Sequence, residues 1–195
     1  MRVLVIYSHP VETSFNAALH QEVLKSLRSA GHEVDNCDLY AEDFNPVLSR
    51  AERLGYHEVP SNRLPVQRYV DRLLWAEALV FCFPTWCFGM PAMLKGFFDR
   101  VLMPGVAFDI SDPQNVKPAL THIKRISAVV TYGRPRWTAL LMGDPPRKSV
   151  TRYLKLLTGG RARTDYHAQY HMNVATPERL NAFKAKVGRA MLRFA

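Results

Sequence analysis

Short apolar runs alternate along this chain with longer segments in which apolar residues recur every three or four positions. The runs at 3–6 and 78–83 are continuous rather than alternating. Continuous apolar runs are typical of strands that helices cover on both faces. The alternation of strand-length and helix-length segments predicts βαβ units and a parallel sheet, an α/β fold.

The elements follow from these periods and from the turn residues between them. We predict strands at 2–8, 33–39, 78–83, 126–131 and 166–172, and helices at 14–30, 66–76, 91–102, 146–157 and from about 176 onward. Residues 49–65 are polar and irregular and indicate a surface excursion with a short helix. The length predicts one domain over 1–195. Right-handed crossovers then favour five parallel strands in the order 2-1-3-4-5.

Composition limits the class of protein without changing this fold. At 195 residues, 48% hydrophobic and 22% charged, the chain is expected to be soluble and globular, and no apolar run is long enough to span a bilayer. The first residues are typical of a strand rather than an export signal. Cys37, Cys82 and Cys87 lack metal-ligand spacing, so free thiols in a reducing cytoplasm are expected.

The positive charge is concentrated in one part of the chain. The formal net charge is +9, and residues 117–165 hold eleven basic side chains against the acids Asp144 and Asp165. Such a surface attracts nucleic acid or a phosphorylated small molecule, or is simply solvated. Because no DNA- or RNA-binding motif accompanies the charge, nucleic acid is disfavoured as a partner.

In an open parallel sheet of this order, ligands bind at the carboxyl ends of the strands, near the first and third. Three loops should meet there: 8–15, 84–91 and 131–137. The first loop offers the hydroxyls of Thr13 and Ser14, the imidazole of His9 and the amide of Asn16 to a phosphate at a helix N-terminus. The alternative is that Ser14 is only a helix cap.

The second and third loops are rich in aromatic residues and glycine. Trp86 and Phe88 lie between two prolines and offer a flat wall to a planar cofactor ring, while Gly89 permits close approach. The alternative is an aromatic plug at the end of the sheet. In the third loop, Arg134 and Arg136 would meet a phosphate or an anionic cofactor edge, or are solvated.

At this point the chain resembles a known family. The segments 7–10 (Tyr-Ser-His-Pro), 13–16 (Thr-Ser-Phe-Asn), 83–86 (Phe-Pro-Thr-Trp), 90–101 and 105–108 are similar to those of the NAD(P)H:quinone oxidoreductase family with the flavodoxin-like fold. The resemblance implies a homodimer that passes hydride from NADH or NADPH through bound FAD, with FMN possible, to a quinone. The family also includes ancillary subunits of potassium efflux systems, so a membrane-transporter partner is possible.

The resemblance also implies roles for particular residues. The loop that holds the flavin phosphate matches His9, Thr13, Ser14, Phe15 and Asn16. The loop along the isoalloxazine ring matches Pro84, Thr85, Trp86, Cys87 and Phe88, and the third flavin loop matches Thr131, Tyr132, Gly133 and Arg134.

Two departures from the family concern the third loop. In the family this loop usually reads Thr-Thr-Gly-Gly, whereas here it reads Thr131-Tyr132-Gly133-Arg134. Beyond the loop, Trp137 falls near a Tyr of the mammalian members and Met142 falls near a His. Neither Trp137 nor Met142 can donate a proton in that role. We predict that Tyr132 and Trp137 lie on the acceptor side of the site. The rival functions are a flavodoxin-type electron carrier, although such carriers are usually acidic, and a regulatory transporter subunit.

Overall fold

The computed structural model describes residues 1–112 and 114–194, which form one central parallel sheet and a two-stranded hairpin. The strands are β1 (Arg2–Tyr7), β2 (Glu33–Asp38), β3 (Ala78–Pro84), β4 (Phe108–Asp109), β5 (Lys117–Pro118), β6 (Arg125–Thr131) and β7 (Arg163–Gln169). The sheet order is β2-β1-β3-β6-β7 and all its pairings are parallel. The predicted α/β class and the order 2-1-3-4-5 are therefore confirmed.

Helices cover both faces of the sheet. They are α1 (Phe15–Ser29), α2 (Arg50–Leu54), α3 (Gln67–Trp75), α4 (Ala92–Val101), α5 (Arg136–Leu141), α6 (Pro145–Lys148), α7 (Lys155–Leu157) and α8 (Pro177–Leu192), with 3₁₀ turns at Ser61–Val66 and Met172–Val174. A π-helical turn, Ser149–Leu154, joins α6 to α7. Each helix in the described part of the chain is too short or too polar to cross a bilayer.

The core lies in two layers because successive side chains of a strand point to opposite faces. Leu4, Ile6 and Phe81 face the layer that includes residues of α3 and α4. Val3, Val5 and Val80 face the layer that includes residues of α1 and α8. All seven residues of β3 are buried, as its continuous apolar run predicts.

The structure differs from the sequence prediction at the last strand. We predicted residues 166–172, but β7 is Arg163–Gln169 and pairs with β6 from Arg125 to Thr131. The strand forms one edge of the sheet, so its first residues can be polar, and hydrophobicity does not mark its start. Helix α5 and the β4–β5 hairpin were also not predicted, since both are too short to show a period.

Candidate functional site

The three loops predicted to meet at the carboxyl ends of the strands do so. The Nδ2 of Asn16 donates to the Oγ1 of Thr131 at 2.8 Å, which joins the first loop to the third. The backbone nitrogen and Oγ1 of Thr85 donate to the Thr131 carbonyl at 2.8 and 3.0 Å, which joins the second loop to the third. The rings of His9 and Trp86 lie 5.9 Å apart, which places the first and second loops side by side.

The first loop leads into a capped helix. The Oγ of Ser14 accepts from the Ala17 nitrogen at 3.1 Å and so forms the N-cap of α1. The Nδ1 of His9 accepts from the Val11 nitrogen at 3.0 Å, and burial lowers the pKa of His9. Thr13 is exposed at the turn and Phe15 is half-buried. Because a cap satisfies one N–H group of a helix N-terminus, the remaining N–H groups are available to an anion.

Three buried polar atoms at the first loop lack a hydrogen-bond partner among the described residues: Tyr7 OH, Ser8 Oγ and Asn16 Oδ1. Burial raises the pKa of Tyr7 to about 12, and its hydroxyl lies near Ser14 without hydrogen-bond geometry. Buried polar atoms are nearly always paired, so an orphaned group indicates a missing water, ion or ligand. Three of them between the end of β1 and the first turn of α1 indicate a site that takes a hydrogen-bonding ligand.

The second loop ends in a tight turn, residues 86–89. Trp86 and Gly89 exchange backbone hydrogen bonds of 3.2 and 2.8 Å, and between them Cys87 and Phe88 have φ values of 49° and 57°. Two consecutive non-glycine residues in the left-handed region are strained, and such strain clusters at functional sites. The turn leaves Trp86 exposed beside the first loop. Within the described chain, the N–H groups of Cys87 and Phe88 have no hydrogen-bond acceptor.

The third loop is held firmly by the strands around it. Thr131 ends β6 opposite Pro84, which is the last residue of β3. The Tyr132 nitrogen donates to the Gln169 carbonyl at 2.8 Å, and the Tyr132 carbonyl accepts from the Met172 nitrogen at 3.0 Å. At Gly133, a Cβ would come within 3.2 Å of the Asn173 Oδ1, so this close approach favours glycine. Arg134 follows with an exposed side chain.

The Tyr132 side chain points into the core, where only 1% of its surface is exposed. Its hydroxyl donates to the Oδ1 of Asp144 at 2.6 Å and lies 2.6 Å from the Tyr166 hydroxyl. Burial, reinforced by these neighbours, raises the pKa of Tyr132. We predicted that Tyr132 lies on the acceptor side of the site, but in this chain its ring is buried and offers no exposed surface to an acceptor. Its hydrogen bonds anchor the third loop.

Asp144 is the centre of this buried network, which sequence reasoning did not identify. Its Oδ2 accepts from the Arg147 Nε at 2.9 Å, and the Arg147 Nη2 donates to the Tyr170 hydroxyl at 2.8 Å. The Arg147 guanidinium also lies 4.1 Å from the Tyr166 ring centre. One signal in the sequence pointed to Asp144, because it is the single acid between 132 and 163.

Trp137, the other residue predicted on the acceptor side, lies on α5 with 64% of its surface exposed. Arg136 is exposed beside it. Trp137 therefore offers an exposed ring just after the third loop, and its role toward an acceptor stays a prediction.

A cavity of about 360 Å³ lies on the β2 side of the first loop and is lined by Tyr7, His9, His20 and Asp38 among others. The rings of Tyr7 and His20 stack at 4.1 Å with an angle of 3° between their planes. The Nε2 of His20 donates to the Asn36 Oδ1 at 2.7 Å. Sequence reasoning missed Tyr7 and His20, because each lies within a regular element and looks like an ordinary core residue.

Within residues 1–112 and 114–194, no group of three or more His, Cys, Asp or Glu side chains is placed so that it could hold a metal ion. Cys37 and Cys82 are buried free thiols and Cys87 is an exposed one. Burial raises the pKa of Cys37 to about 12.

Comparison with known proteins gives a family match and several relatives. The model of a family described by its flavodoxin-like fold matches residues 1–182. NAD(P)H dehydrogenase [quinone] 1 of Rattus norvegicus is 35% identical over 148 residues, which are 68% of this chain and 54% of that protein. An uncharacterized NAD(P)H oxidoreductase of Haemophilus influenzae is 32% identical over 136 residues, 68% of this chain and 65% of that one. The chain thus spans about half the length of the rat relative.

Solved structures extend the similarity over the whole length. The crystal structure of Smu.1420 from Streptococcus mutans UA159 superposes with a TM-score of 0.81 at 27% identity, covering 99% of this chain and 100% of that one. The NAD(P)H:quinone oxidoreductase from Methanothermobacter marburgensis gives a TM-score of 0.81 at 22% identity, covering 100% and 99%. At that lower identity the likeness supports the fold alone.

Proposed function

This chain belongs to the flavodoxin-like fold family, and from that premise we propose that it is a flavin-dependent oxidoreductase. In this proposal it moves hydride from NADH or NADPH to a quinone or a related acceptor. The observation that carries the proposal is the convergence of three loops around unpaired buried polar atoms at the carboxyl edge of the sheet. The names of its relatives are consistent with this reaction class.

The first loop has the donors that a flavin phosphate needs. His9, Thr13, Ser14, Phe15 and Asn16 surround the N-terminus of α1, where free N–H groups and the helix dipole favour an anion. Asn16 is fixed by its bond to Thr131 while its Oδ1 remains unpaired. The orphaned Tyr7 and Ser8 hydroxyls add two further donors beside this loop.

The second loop suits the flat ring. Trp86 and Phe88 would form an apolar wall, and the N–H groups of Cys87 and Phe88 would donate to a polar ring edge. Pro84 and Thr85 fix the start of the turn, because Thr85 is bonded to the Thr131 carbonyl. When bound, a flavin supplies the redox chemistry, accepting hydride from a nicotinamide and passing it on.

The third loop closes the other side of the crevice. Thr131 is held by the bonds that it accepts from Asn16 and Thr85, and the buried Tyr132 anchors the loop to the Asp144 network. Gly133 follows these two residues in the loop. Arg134 offers an exposed positive charge to an anionic edge or a phosphate. Trp137 would contact the acceptor. The proposal gives no side chain the role of proton donor to the acceptor.

The proposal also includes the identity of the flavin, the location of the protein and its assembly. FAD is the expected flavin and FMN the alternative, and the single-domain protein is expected in the cytoplasm, consistent with its free cysteines. A homodimer is supported by the exposed apolar side chains of Val47, Leu54, Val59 and Leu64, which lie on one excursion of the chain. Association with a membrane transporter stays a prediction.

The decisive experiment is to purify the protein, release any chromophore and identify it by mass. The double variant Trp86→Ala/Phe88→Ala should retain at least about tenfold less flavin, because two aromatic contacts are lost. The matched control is Trp75→Ala, which removes a tryptophan at the end of α3, just before the amino end of β3.

The activity test uses the same preparations. Steady oxidation of NADH or NADPH with menadione would support the enzyme, whereas reduction only through a separate reductase would indicate an electron carrier. Equal flavin retention by the double variant and the wild type would overturn the assignment of the second loop. A protein that binds no flavin at all would overturn the proposed function.

A further inference from the structure

One outer surface of the molecule is built by two helices that lie side by side. α1 and α8 both contribute side chains to the same core layer. They touch at Gly188, where a Cβ would come within 2.4 Å of the Glu22 Oε1. α1 follows β1 and α8 follows β7, so both helices begin at the carboxyl edge of the sheet and run away from it. Each is about 23 Å long, and together they present one broad surface to solvent.

This surface carries five exposed cations. They are Lys25 and Arg28 on α1, and Lys186, Arg189 and Arg193 on or just after the second half of α8. We call these five residues the basic face. None of the five forms an ion pair with another residue that the structure describes, so their charge is uncompensated.

Acidic and large apolar side chains are scarce on the same two helices. The single acid of α1 is Glu22, which is half-buried and accepts from the Ser26 Oγ at 3.2 Å. The single acid of α8 is Glu178, in its first turn and so at the end away from its cations. In these two helices, which the structure describes throughout, Leu192 is the one large apolar side chain that is more than half exposed, at 52%.

The basic face suits a partner that is bound through charge alone. The interface with a protein partner usually has an apolar centre with few lysines, and the two helices offer a single exposed leucine. A second copy of this chain would bring the five cations against their own equivalents. A nucleic acid would satisfy the charges, but neither helix has an exposed aromatic side chain to stack on a base, and a convex duplex would meet only a strip of this broad surface.

We propose that the basic face binds the headgroups of an anionic lipid bilayer. Clusters of Lys and Arg on a helix are attracted to anionic headgroups, and fluid lipids can rearrange to meet charges whose spacing is irregular. Because Leu192 is the single large apolar side chain exposed there, the contact depends on charge at the bilayer surface rather than on insertion. Such a contact weakens as salt is added.

The direction of the two helices gives the docking a consequence for the proposed enzyme. Both begin at the carboxyl edge of the sheet, which is where the three loops meet. A protein lying on its basic face would hold the crevice beside the bilayer and leave it open. Acceptors that reside in lipid, such as quinones with long hydrocarbon tails, would then be favoured. This consequence rests on the proposed function, whereas the docking itself does not.

Flotation with lipid vesicles tests the proposal. The purified protein is mixed with vesicles of equal parts phosphatidylcholine and phosphatidylglycerol, or of phosphatidylcholine alone, without nucleotide or quinone. We expect binding to the anionic vesicles that weakens with added salt, and little binding to the neutral ones. Arg189→Gln/Arg193→Gln should bind the anionic vesicles at least about tenfold more weakly, because two of the five cations are lost.

Two further variants separate the face from the charge of the whole protein. Arg50→Gln/Lys117→Gln removes two exposed cations at the starts of α2 and β5, outside the basic face, and should bind within about twofold of the wild type. Arg189→Lys/Arg193→Lys keeps both charges and should bind like the wild type. Thermal unfolding checks that each variant is folded.

Three results would overturn the docking proposal. The first is equal binding to anionic and neutral vesicles. The second is a loss of binding in Arg189→Gln/Arg193→Gln no greater than in the Arg50/Lys117 control, which would assign the attraction to net charge. The third is binding of duplex DNA that weakens in Arg189→Gln/Arg193→Gln while no vesicles are bound, which would assign the face to nucleic acid.

Failure of the proposed function would look different. Flavin content and the reduction of water-soluble menadione are measured without vesicles. A protein that floats with anionic vesicles but holds no flavin would keep the docking and overturn only the proposed function.

Discussion

The second and third loops meet at one edge of the sheet but are built in opposite ways. The third loop is fixed by strand hydrogen bonds on both sides and by the buried contact of Tyr132 with Asp144. The second loop ends in a turn with two left-handed non-glycine residues and an exposed tryptophan. The hydrogen-bonded third loop fixes the position of the crevice. The strained and exposed residues of the second loop are the ones that can contact a ligand in it.

Removing the anchor should have the largest effect. Asp144→Ala leaves Arg147 and Tyr132 without their shared acceptor in a mostly buried site. We expect the free energy of unfolding to fall by about 2 kcal/mol, because the buried Tyr132 hydroxyl loses an acceptor and the half-buried Arg147 loses its ion pair. Urea unfolding measures this loss.

The matched control for Asp144 is Asp165→Ala, which removes a carboxylate that is 40% exposed and accepts from Arg125. That change should cost less than about 1 kcal/mol. Equal losses in the two variants would mean that the third loop is not anchored by its buried network.

The bond between the first and third loops should have the next largest effect. Asn16→Ala removes the donor to the Thr131 Oγ1 and should lower the free energy of unfolding by about 1–2 kcal/mol. A double-mutant cycle with Thr131→Val isolates the contribution of this contact. Strictly additive effects would show that the two loops are not coupled through these side chains.

The strain in the second loop predicts a smaller effect of opposite sign. Cys87 is exposed and has a φ of 49°, so Cys87→Gly should raise the free energy of unfolding by about 0.5 kcal/mol. Cys87→Val should lower it by about 1 kcal/mol, since a β-branched residue tolerates this conformation worse. The turn would prove unstrained if both variants unfolded at the temperature of the wild type.

The smallest expected effect concerns the cavity beside the first loop. Burial lowers the pKa of His20, although its bond to Asn36 opposes this. His20 therefore binds a proton more readily in the unfolded chain than in the folded protein. The free energy of unfolding should fall as the pH drops through about 6.5. His20→Gln should flatten this dependence in urea unfolding measured between pH 5 and pH 8.

The control for His20 is His57→Gln, which replaces an exposed histidine next to Tyr56. It controls for the loss of a histidine ring at an exposed position. If the free energy of unfolding of His20→Gln still fell steeply at acid pH, other groups would be responsible for that dependence.

Much of the fold could be predicted from the sequence because its strands are buried and their runs continuous. β7 could be predicted only in part, since Arg163 and Asp165 carry no hydrophobic signal at the edge of the sheet. Hydrophobic pattern located the three loops, but it did not reveal the turn at Cys87 and Phe88, because neither residue is typical of the left-handed region.

The inward orientation of Tyr132 could have been predicted from the sequence. Ile126, Ala128 and Val130 all face one core layer, and Tyr132 continues that alternation beyond the end of β6. The sequence marked Asp144 as an isolated acid but did not predict its network. Tyr166 reaches Tyr132 only through the packing of β7 against β6.

The π-helical turn at Ser149–Leu154 has a consequence for how relatives of this chain diverge. A π turn holds one residue more than an α-helical turn, and each residue rotates a helix by about 100°. Loss of a single residue there would convert the turn to ordinary helix and swing Tyr153 and Leu156 away from their present positions. One-residue length changes in this segment would therefore change which side chains relatives present on this surface, while the residues of the three loops stay the same.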